Sequence, residues 1–362
     1  MSFAKKNLLN LNLQELQTLL QQMGEPAFRA KQLWQWIWQK NSCSFQGMSN
    51  VSKSLRERLE QEFSLILPEL RKCLQSQDGT VKFLLGLDDG QVIESVLIPE
   101  RDHYTLCLSS QAGCSLGCTF CSTGQMGLAR NLSPAEILGQ IRQARIYLQQ
   151  NQDPLALRNL VFMGMGEPLL NWQQVKKSLQ IIRDPLALGF SRRRTTISTV
   201  GVPGKLQELA QSRLASLALS LHAPSQELRQ RLMPGAARMY PLPELLQDLK
   251  ALPLQPRERI TFEYTLIQGV NDSLKQAKEL NRILSSLPCK LNLIEYNPGP
   301  ELPYSAPEQE QVLAFERFLW HKNQTVTLRK SKGQDISAAC GQLKSSQSQG
   351  QTAIDILAAP CK

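Results

Sequence analysis

The stretch "ASLALSLH", residues 215–222, alternates apolar and small polar side chains. In a strand, Ala215, Leu217, Leu219 and Leu221 share one face, while Ser216, Ala218, Ser220 and His222 share the other. The first face suits packing against helices. The second is small and polar, so it leaves room for a ligand instead of filling a core. Five further strand patterns surround it: "YTLCLSS" (104–110), "NLVFMGM" (159–165), "TTISTVG" (195–201), "RITFEYTLI" (259–267) and "KLNLIEYN" (290–297). Helical stretches such as "SPAEILGQIRQARIYLQQ" (133–150) lie between them. Six βα-like units predict a parallel sheet with helices outside it. The expected fold class is α/β: a partly open (β/α)6 barrel, with its site at the C-terminal ends of the strands.

Working outward, residues 1–75 read as a helical accessory domain. Asn12 with Glu15 resembles a capping box ahead of Leu16, Leu19, Leu20 and Met23. In "GEPAFRAKQLWQWIWQK", Ala30, Leu33, Trp34, Ile37 and Trp38 fall on one helical face, the simplest core face. Arg29, Trp36 and Lys40 fall on another, either a solvated face or one that stacks and pairs with RNA. Residues 76–103 change period. "TVKFLLGL" and "QVIESVLI" flank Asp-Asp-Gly, which predicts a connecting β hairpin. The barrel core is expected over 104–343. The remainder, 344–362, begins Ser/Gln-rich and is expected to be mobile.

The chain has 362 residues, enough for one large domain or two ordinary ones, and 42% are hydrophobic, which supports a packed core. No apolar run reaches a membrane span, and the N-terminus lacks the apolar core of a secretory signal. A cytoplasmic location is expected. The net charge of +10 suits a polyanionic partner such as RNA, or a merely basic enzyme. Nine cysteines in such a chain point to metal binding or catalysis before disulfides. Cys43, Cys73, Cys289 and Cys361 have no informative spacing.

In "SSQAGCSLGCTFCSTGQMG" (109–127), Cys114, Cys118 and Cys121 stand as Cys-x3-Cys-x2-Cys. Thiolates suit iron–sulfur clusters or zinc. Three of them leave one iron of a cluster open to another ligand. Cys107 lies close upstream, so a four-thiolate zinc site is the competing count. Only one Cys-x2-Cys pair is present, however, and Cys107 falls within a strand-like run. "FMGMGEPLLN" (162–171) closes the next strand pattern; by itself it is a Gly-Pro turn. "SKGQDISAACGQL" (331–343) carries a lone Cys340, a pattern more often structural than catalytic.

Cys-x3-Cys-x2-Cys after the first strand of a βα series resembles the radical S-adenosylmethionine (SAM) superfamily. The likeness implies a [4Fe–4S] cluster on Cys114, Cys118 and Cys121, with SAM chelating the fourth iron. "GMGEPL" resembles the motif that meets SAM's amino group, through Gly166 and Glu167. Taken with "TLCLSSQAGC" and the Cys340 string, these motifs make the chain similar to the RlmN/Cfr family of radical SAM RNA adenine methyltransferases, over essentially its whole length. RlmN members modify carbon 2 of adenine, and Cfr members carbon 8. The resemblance implies that Cys340 takes a methyl group from one SAM, using two SAM per turnover. It implies that Cys107 later forms a transient disulfide with Cys340, and that Glu94 is the proton acceptor, where the residue pattern alone suggests a solvated strand carboxylate. Ser198, the Ser220-Leu221-His222 run and Asn297 match SAM contacts.

The implied substrates are 23S rRNA, at an adenosine in the peptidyl-transferase centre, and tRNA, at the adenosine 3′ of the anticodon. An external low-potential electron donor and a monomeric enzyme without membrane attachment are expected. The target base must leave its stack to reach a buried radical. Arg192–Arg194, and Arg329, Lys330 and Lys332, are candidates to hold phosphates; a solvated basic loop is the alternative for the arginine run. Pro168 and Gln125 resemble the carbon 2 branch. "MPGAARMYPL" departs from the family's usual, more basic loop, and Glu295 stands where proline is common. A Cfr-like carbon 8 enzyme, a methylthiotransferase and a non-catalytic zinc-containing RNA-binding protein are the rival readings.

Overall fold

The strand expected at 215–222 forms over Ser216–Ser220, inside a ten-stranded sheet of a computed structural model that describes residues 5–299, 302–322 and 324–344. Besides a short parallel pair, Lys6–Asn7 with Phe63–Ser64, the strands in chain order are β1 (Glu69–Gln75), β2 (Val81–Gly86), β3 (Val92–Pro99), β4 (Tyr104–Cys107), β5 (Gln111–Cys114), β6 (Gly127–Asn131), β7 (Leu157–Phe162), β8 (Thr195–Thr199), β9 (Ser216–Ser220), β10 (Ile260–Leu266), β11 (Cys289–Glu295) and β12 (Val326–Arg329). The large sheet runs β12-β11-β10-β9-β8-β7-β4-β3-β2-β1. Pairing is parallel from β4 through β7 to β12, and antiparallel from β1 to β4. Helices join the parallel strands, as that direction of pairing requires. Pro134–Gln150 starts on a Ser133–Glu136 capping box and Leu274–Leu284 on a Ser273–Gln276 box.

Two expectations change here. The parallel set has seven strands, not six, because β12 adds to the edge just before the Cys340 loop. The helical region ends earlier than residue 75: its last helix is Lys53–Glu62, and Glu69–Gln75 is a strand. That strand is a sheet edge whose outer residues stay polar, which hides its period. The hairpin at 76–103 forms as expected, with Leu87 donating to Gln91 and Gly90 to Leu87 across its turn. It does more than connect, because β2 and β3 extend the barrel sheet toward the Cys340 loop. Cys361 and the tail from 345 lie outside the described residues.

The N-terminal helices share one apolar core with the barrel. Asn12 and Glu15 cap Leu13–Gln22 reciprocally. Phe28–Trp38 buries Ala30, Leu33, Trp34, Ile37 and Trp38, as the helical spacing predicts. Trp34 meets Trp38 edge to face at 5.7 Å and donates from its indole to Asp184 at 3.0 Å. The opposite face is not simply solvated: the Lys40 ammonium lies 3.6 Å from the Trp36 ring centroid, and Trp36 donates to Asn50. Buried Arg142 reaches from Pro134–Gln150 to Asn41 and the Ser42 carbonyl. Trp34→Ala should therefore lower the stability of the whole chain by about 3–5 kcal/mol in urea unfolding. A loss below about 1 kcal/mol would show that the helices are not packed into the common core.

Candidate functional site

The three spaced cysteines lie on and beside a small hairpin, in which β5 pairs antiparallel with β6. Gly113 makes that pairing possible. It sits at φ +80°, and a Cβ there would fall 2.0 Å from the Gly127 carbonyl oxygen. The chain then turns through Cys118 and Cys121, and Ser122 donates to the Gly341 carbonyl at 2.7 Å. The cysteine loop is thus bonded directly to the Cys340 loop, 219 residues on in sequence (340 − 121).

Cys114, Cys118 and Cys121 line a cavity that opens to solvent. Gly166, Glu167, Ser198, Ser220 and His222 also face it, from the C-terminal ends of β7, β8 and β9. Burial pushes the Cys114 thiol up to about 11 and raises Cys118 and Cys121 as well, with neighbouring thiols adding to the first two. A single zinc would gather thiolates to within about 4 Å of one another. Among the described residues no set of three His, Cys, Asp or Glu side chains is gathered for one metal ion. Cys107, the fourth thiol of the zinc count, lines a different cavity. The donor set fits a cluster with an open iron, and a cofactor seated against the polar ends of the strands.

The GEP turn is held rigidly. Gly166 takes φ +93°, and a Cβ there would fall 2.4 Å from Gln111 Cβ. Glu167 donates its backbone N–H to Gln111 Oε1, and its two carboxylate oxygens accept from Leu169 and Val200 N–H, each at 2.9 Å. Its side chain therefore ties the turn to the end of β8. His222 stands at φ +51°, with its Nδ1 accepting from Thr265 N–H at 3.0 Å. Burial brings its ring down to about 3, so it is neutral and carries its proton on Nε2. Leu221 is buried in the apolar core. Asn297 accepts from Gln334 and donates to the Cys340 carbonyl at 3.3 Å, so its side chain serves the Cys340 loop.

Cys340 lines the first cavity and also a second, walled by Cys107, Met163, Arg329, Lys330 and Lys332. Cys340 is an exposed residue overall, yet burial around its thiol pushes that thiol up, while Arg329 pulls the other way. Burial first, then Cys340 itself, holds Cys107 at about 12. Both thiols are free. Glu94 lies beneath the same loop. Its Oε1 is 3.4 Å from the buried Lys82 ammonium, and its Oε2 accepts from Lys344 N–H at 3.1 Å. Burial outweighs these partners and raises Glu94 to about 7. Glu94 is not on the wall of either cavity.

The basic candidates separate. Arg329, Lys330 and Lys332 ring the Cys340 cavity. Arg192–Arg194 precede β8, at the N-terminal ends of the strands, away from both cavities. Arg192 pairs with Glu258, and Arg194 donates to Asn159 at 3.1 Å. The arginine run therefore does not serve this site. Sequence reading also missed Arg229, fully buried behind the cysteine loop and donating to the Val200 carbonyl at 2.7 Å. Its helix, Gln226–Leu232, is short and mostly polar, so the sequence offers little signal of a buried charge. Glu263, Thr265 and Tyr296 on the cavity wall were missed too; a carboxylate inside the apolar run "ITFEYTL" was the available signal.

The chain matches two family models: the ribosomal RNA large subunit methyltransferase N-terminal domain over residues 6–65, and the radical SAM superfamily over 108–280. It is 54% identical to the dual-specificity RNA methyltransferase RlmN of Solidesulfovibrio magneticus, covering 93% of this chain and 96% of that one. It is 55% identical to the RlmN of Nitratidesulfovibrio vulgaris, covering 94% and 95%. A crystal structure of a radical SAM methyltransferase from Sphaerobacter thermophilus superposes with a TM-score of 0.89 at 39% identity, over 94% of this chain and 100% of that one.

The Lys82–Glu94 pair gives a direct test. A carboxyl raised from 4.5 to about 7 favours folding fully below 4.5, and that contribution is lost as pH climbs through 7. Infrared difference titration should find the Glu94 carboxyl ionising near pH 7, and Lys82→Met should move the midpoint higher. A wild-type midpoint in the ordinary carboxylate range would show that burial does not outweigh Lys82 at Glu94.

Proposed function

Because the chain belongs to the RlmN family of radical SAM dual-specificity RNA methyltransferases, we propose that it methylates carbon 2 of adenine, in the peptidyl-transferase centre of 23S rRNA and 3′ of the anticodon in tRNA. It is a radical SAM RNA methyltransferase. Its superfamily works with a [4Fe–4S] cluster and SAM. The observation that carries the finer reading is the position of Cys340, on the wall shared by the cavity of the three cysteines and the cavity of Cys107.

In this reading Cys114, Cys118 and Cys121 hold the cluster, and Gly166, Glu167, Ser198, Ser220 and His222 form the surroundings of SAM, with Leu221 behind them in the core and Asn297 reaching SAM only if it releases the Cys340 loop. Bound there, the cluster and two SAM per turnover supply a methyl group and then a 5′-deoxyadenosyl radical able to take hydrogen from that methyl. Cys340 carries the methyl on its sulfur. Carbon 2 of adenine is a poor nucleophile, so a radical carbon on Cys340 suits it better than direct transfer from SAM. Once Cys340 is joined through that carbon to the ring, the adduct radical would return one electron to the bound cluster, and Glu94 removes the ring proton. The Cys107 sulfur then attacks the Cys340 sulfur. The bond from Cys340 to the transferred carbon breaks, its electron pair stays on that carbon and takes up the proton that the Cys107 thiol gave up, the methylated base leaves, and a Cys107–Cys340 disulfide remains. Cellular thiols reduce it, in keeping with a cytoplasmic location; among the described residues no helix is long and apolar enough to cross a membrane. Arg329, Lys330 and Lys332 draw in RNA phosphates. The enzyme works as a monomer fed by an external low-potential electron donor.

Pro168 and Gln125 support carbon 2 over carbon 8. Nucleoside mass analysis of treated rRNA and tRNA should show 2-methyladenosine; 8-methyladenosine alone overturns the assignment. Cys340→Ala should abolish methylation. Cys107→Ala should stall with RNA covalently attached to the protein, visible as a shifted band on a denaturing gel. Free methylated RNA from Cys107→Ala at the wild-type rate would sink the resolving role.

A further inference from the structure

Two buried glutamates face the cavity of the three cysteines, and they are used differently. Both carboxylate oxygens of Glu167 are taken by backbone N–H groups. Glu263, 3% exposed in the middle of β10, uses one: Oε1 accepts from Asn292 Nδ2 at 3.0 Å. Its Oε2 is buried and finds no hydrogen-bond donor among the described residues. A buried carboxylate oxygen left without a donor costs about 1–3 kcal/mol or more. A carboxylate present only to knit strands together would be satisfied on both oxygens, as Glu167 is.

The surroundings indicate what completes it. Register places Ser220 on β9 and Asn292 on β11 beside Glu263. Ser198 on β8 is 3.2 Å from Ser220, hydroxyl to hydroxyl. A polar row thus crosses four neighbouring strands, with the free oxygen in its middle. Such a row exchanges hydrogen bonds with neutral hydroxyls, and a carboxylate oxygen accepts two donors at once. Asn292 fixes the plane of the carboxylate, so the free oxygen is pre-aimed. Along SAM, the nucleoside ribose follows the amino-acid end that the cysteines and the GEP turn receive, and it presents two adjacent hydroxyl donors. The flat adenine that comes after has its counterpart in the apolar wall of Val200, Met233 and Ile294.

We infer that Glu263 is a cofactor-binding residue whose Oε2 accepts from the 2′- and 3′-hydroxyls of the SAM ribose. The inference rests on the SAM-binding reading above, and a binding experiment separates the two. Equilibrium dialysis of the cluster-loaded protein uses S-adenosylhomocysteine and its 2′-deoxy and 3′-deoxy forms as probes, so no turnover is involved. Wild type should bind S-adenosylhomocysteine and lose affinity for each deoxy form. Glu263→Gln, which keeps the shape, should bind S-adenosylhomocysteine at least tenfold more weakly, in line with the loss of a charged hydrogen bond. In that variant the penalty for removing a hydroxyl should vanish, because the two changes delete one interaction. Glu263→Asp keeps the charge but withdraws it, and should fall between; it carries the same test if the glutamine variant does not fold. Unchanged affinity in the variants, or an undiminished deoxy penalty, overturns the ribose contact alone. Failure of wild type to bind the probe at all overturns the SAM reading and the ribose contact together.

Discussion

One sulfur has to serve two cavities. Cys340 sits where the cysteine-lined cavity and the Cys107 cavity share a wall, and much of the surrounding structure works to keep it there. The loop that carries it has little regular structure of its own, only a single 3-10 turn at Gln334–Ile336. It is fixed from outside. Asp78 accepts from Gly333 N–H at 2.8 Å, Ser76 donates to Asp335 at 2.6 Å, and Lys82 donates to the Ser337 carbonyl at 3.2 Å. On the far side Thr123 donates to the Leu343 carbonyl at 2.6 Å. Every one of these anchors comes from the β1–β2 turn, from β2, or from the cysteine loop. The antiparallel extension of the barrel is therefore the platform for the loop, and the cysteine loop clamps it.

The same constraint explains the inner face of the barrel. Closing a sheet around bulky side chains would fill the space the cofactor needs. Serine, threonine, histidine and glutamate at the strand ends keep that end open and polar, while leucine and isoleucine on the outer face pack the helices. Arg229 adds a charge where three thiols would otherwise face one another alone. It is buried against the backbone of Val200 and Leu221, and the Cys118 thiol lies close enough to feel it. A cation placed there favours ionised sulfur without competing for it as a ligand.

What the sequence made legible follows from periodicity and spacing. Alternation in 215–222 survived folding because one face packs helices and the other brings Ser220 and His222 to the cavity wall. The Trp34 face of the second helix and the Asn12 capping box are local features, and local rules recovered them. Glu69–Gln75 was misread because an edge strand need bury only part of one face, and Arg71 and Lys72 broke its alternation. The seventh parallel strand, Val326–Arg329, is short and sits on an edge, so its pattern carries little weight. Cys107 and the other three thiols are close in sequence, yet the turn after β4 sends them into different cavities. Spacing alone could not decide that. The arginine run lies at the other end of the strands from the two cavities, and charge in sequence does not say at which end of a strand it falls.

Glu94 shows how tightly the loop and its platform are coupled. Its carboxylate is held between Lys82, on the neighbouring strand, and the backbone N–H of Lys344. Lys82 also bonds the Ser337 carbonyl, so one ammonium joins the carboxylate to the loop that bears Cys340. If Glu94 is the base of the proposed reaction, its carboxylate has to leave the Lys344 N–H to meet a ring proton at Cys340. A carboxyl held near 7 is suited to that task, because its affinity for a proton lies close to the working pH. Burial sets that value and Lys82 limits it. The buried pair therefore contributes to placing the sulfur and to tuning the base.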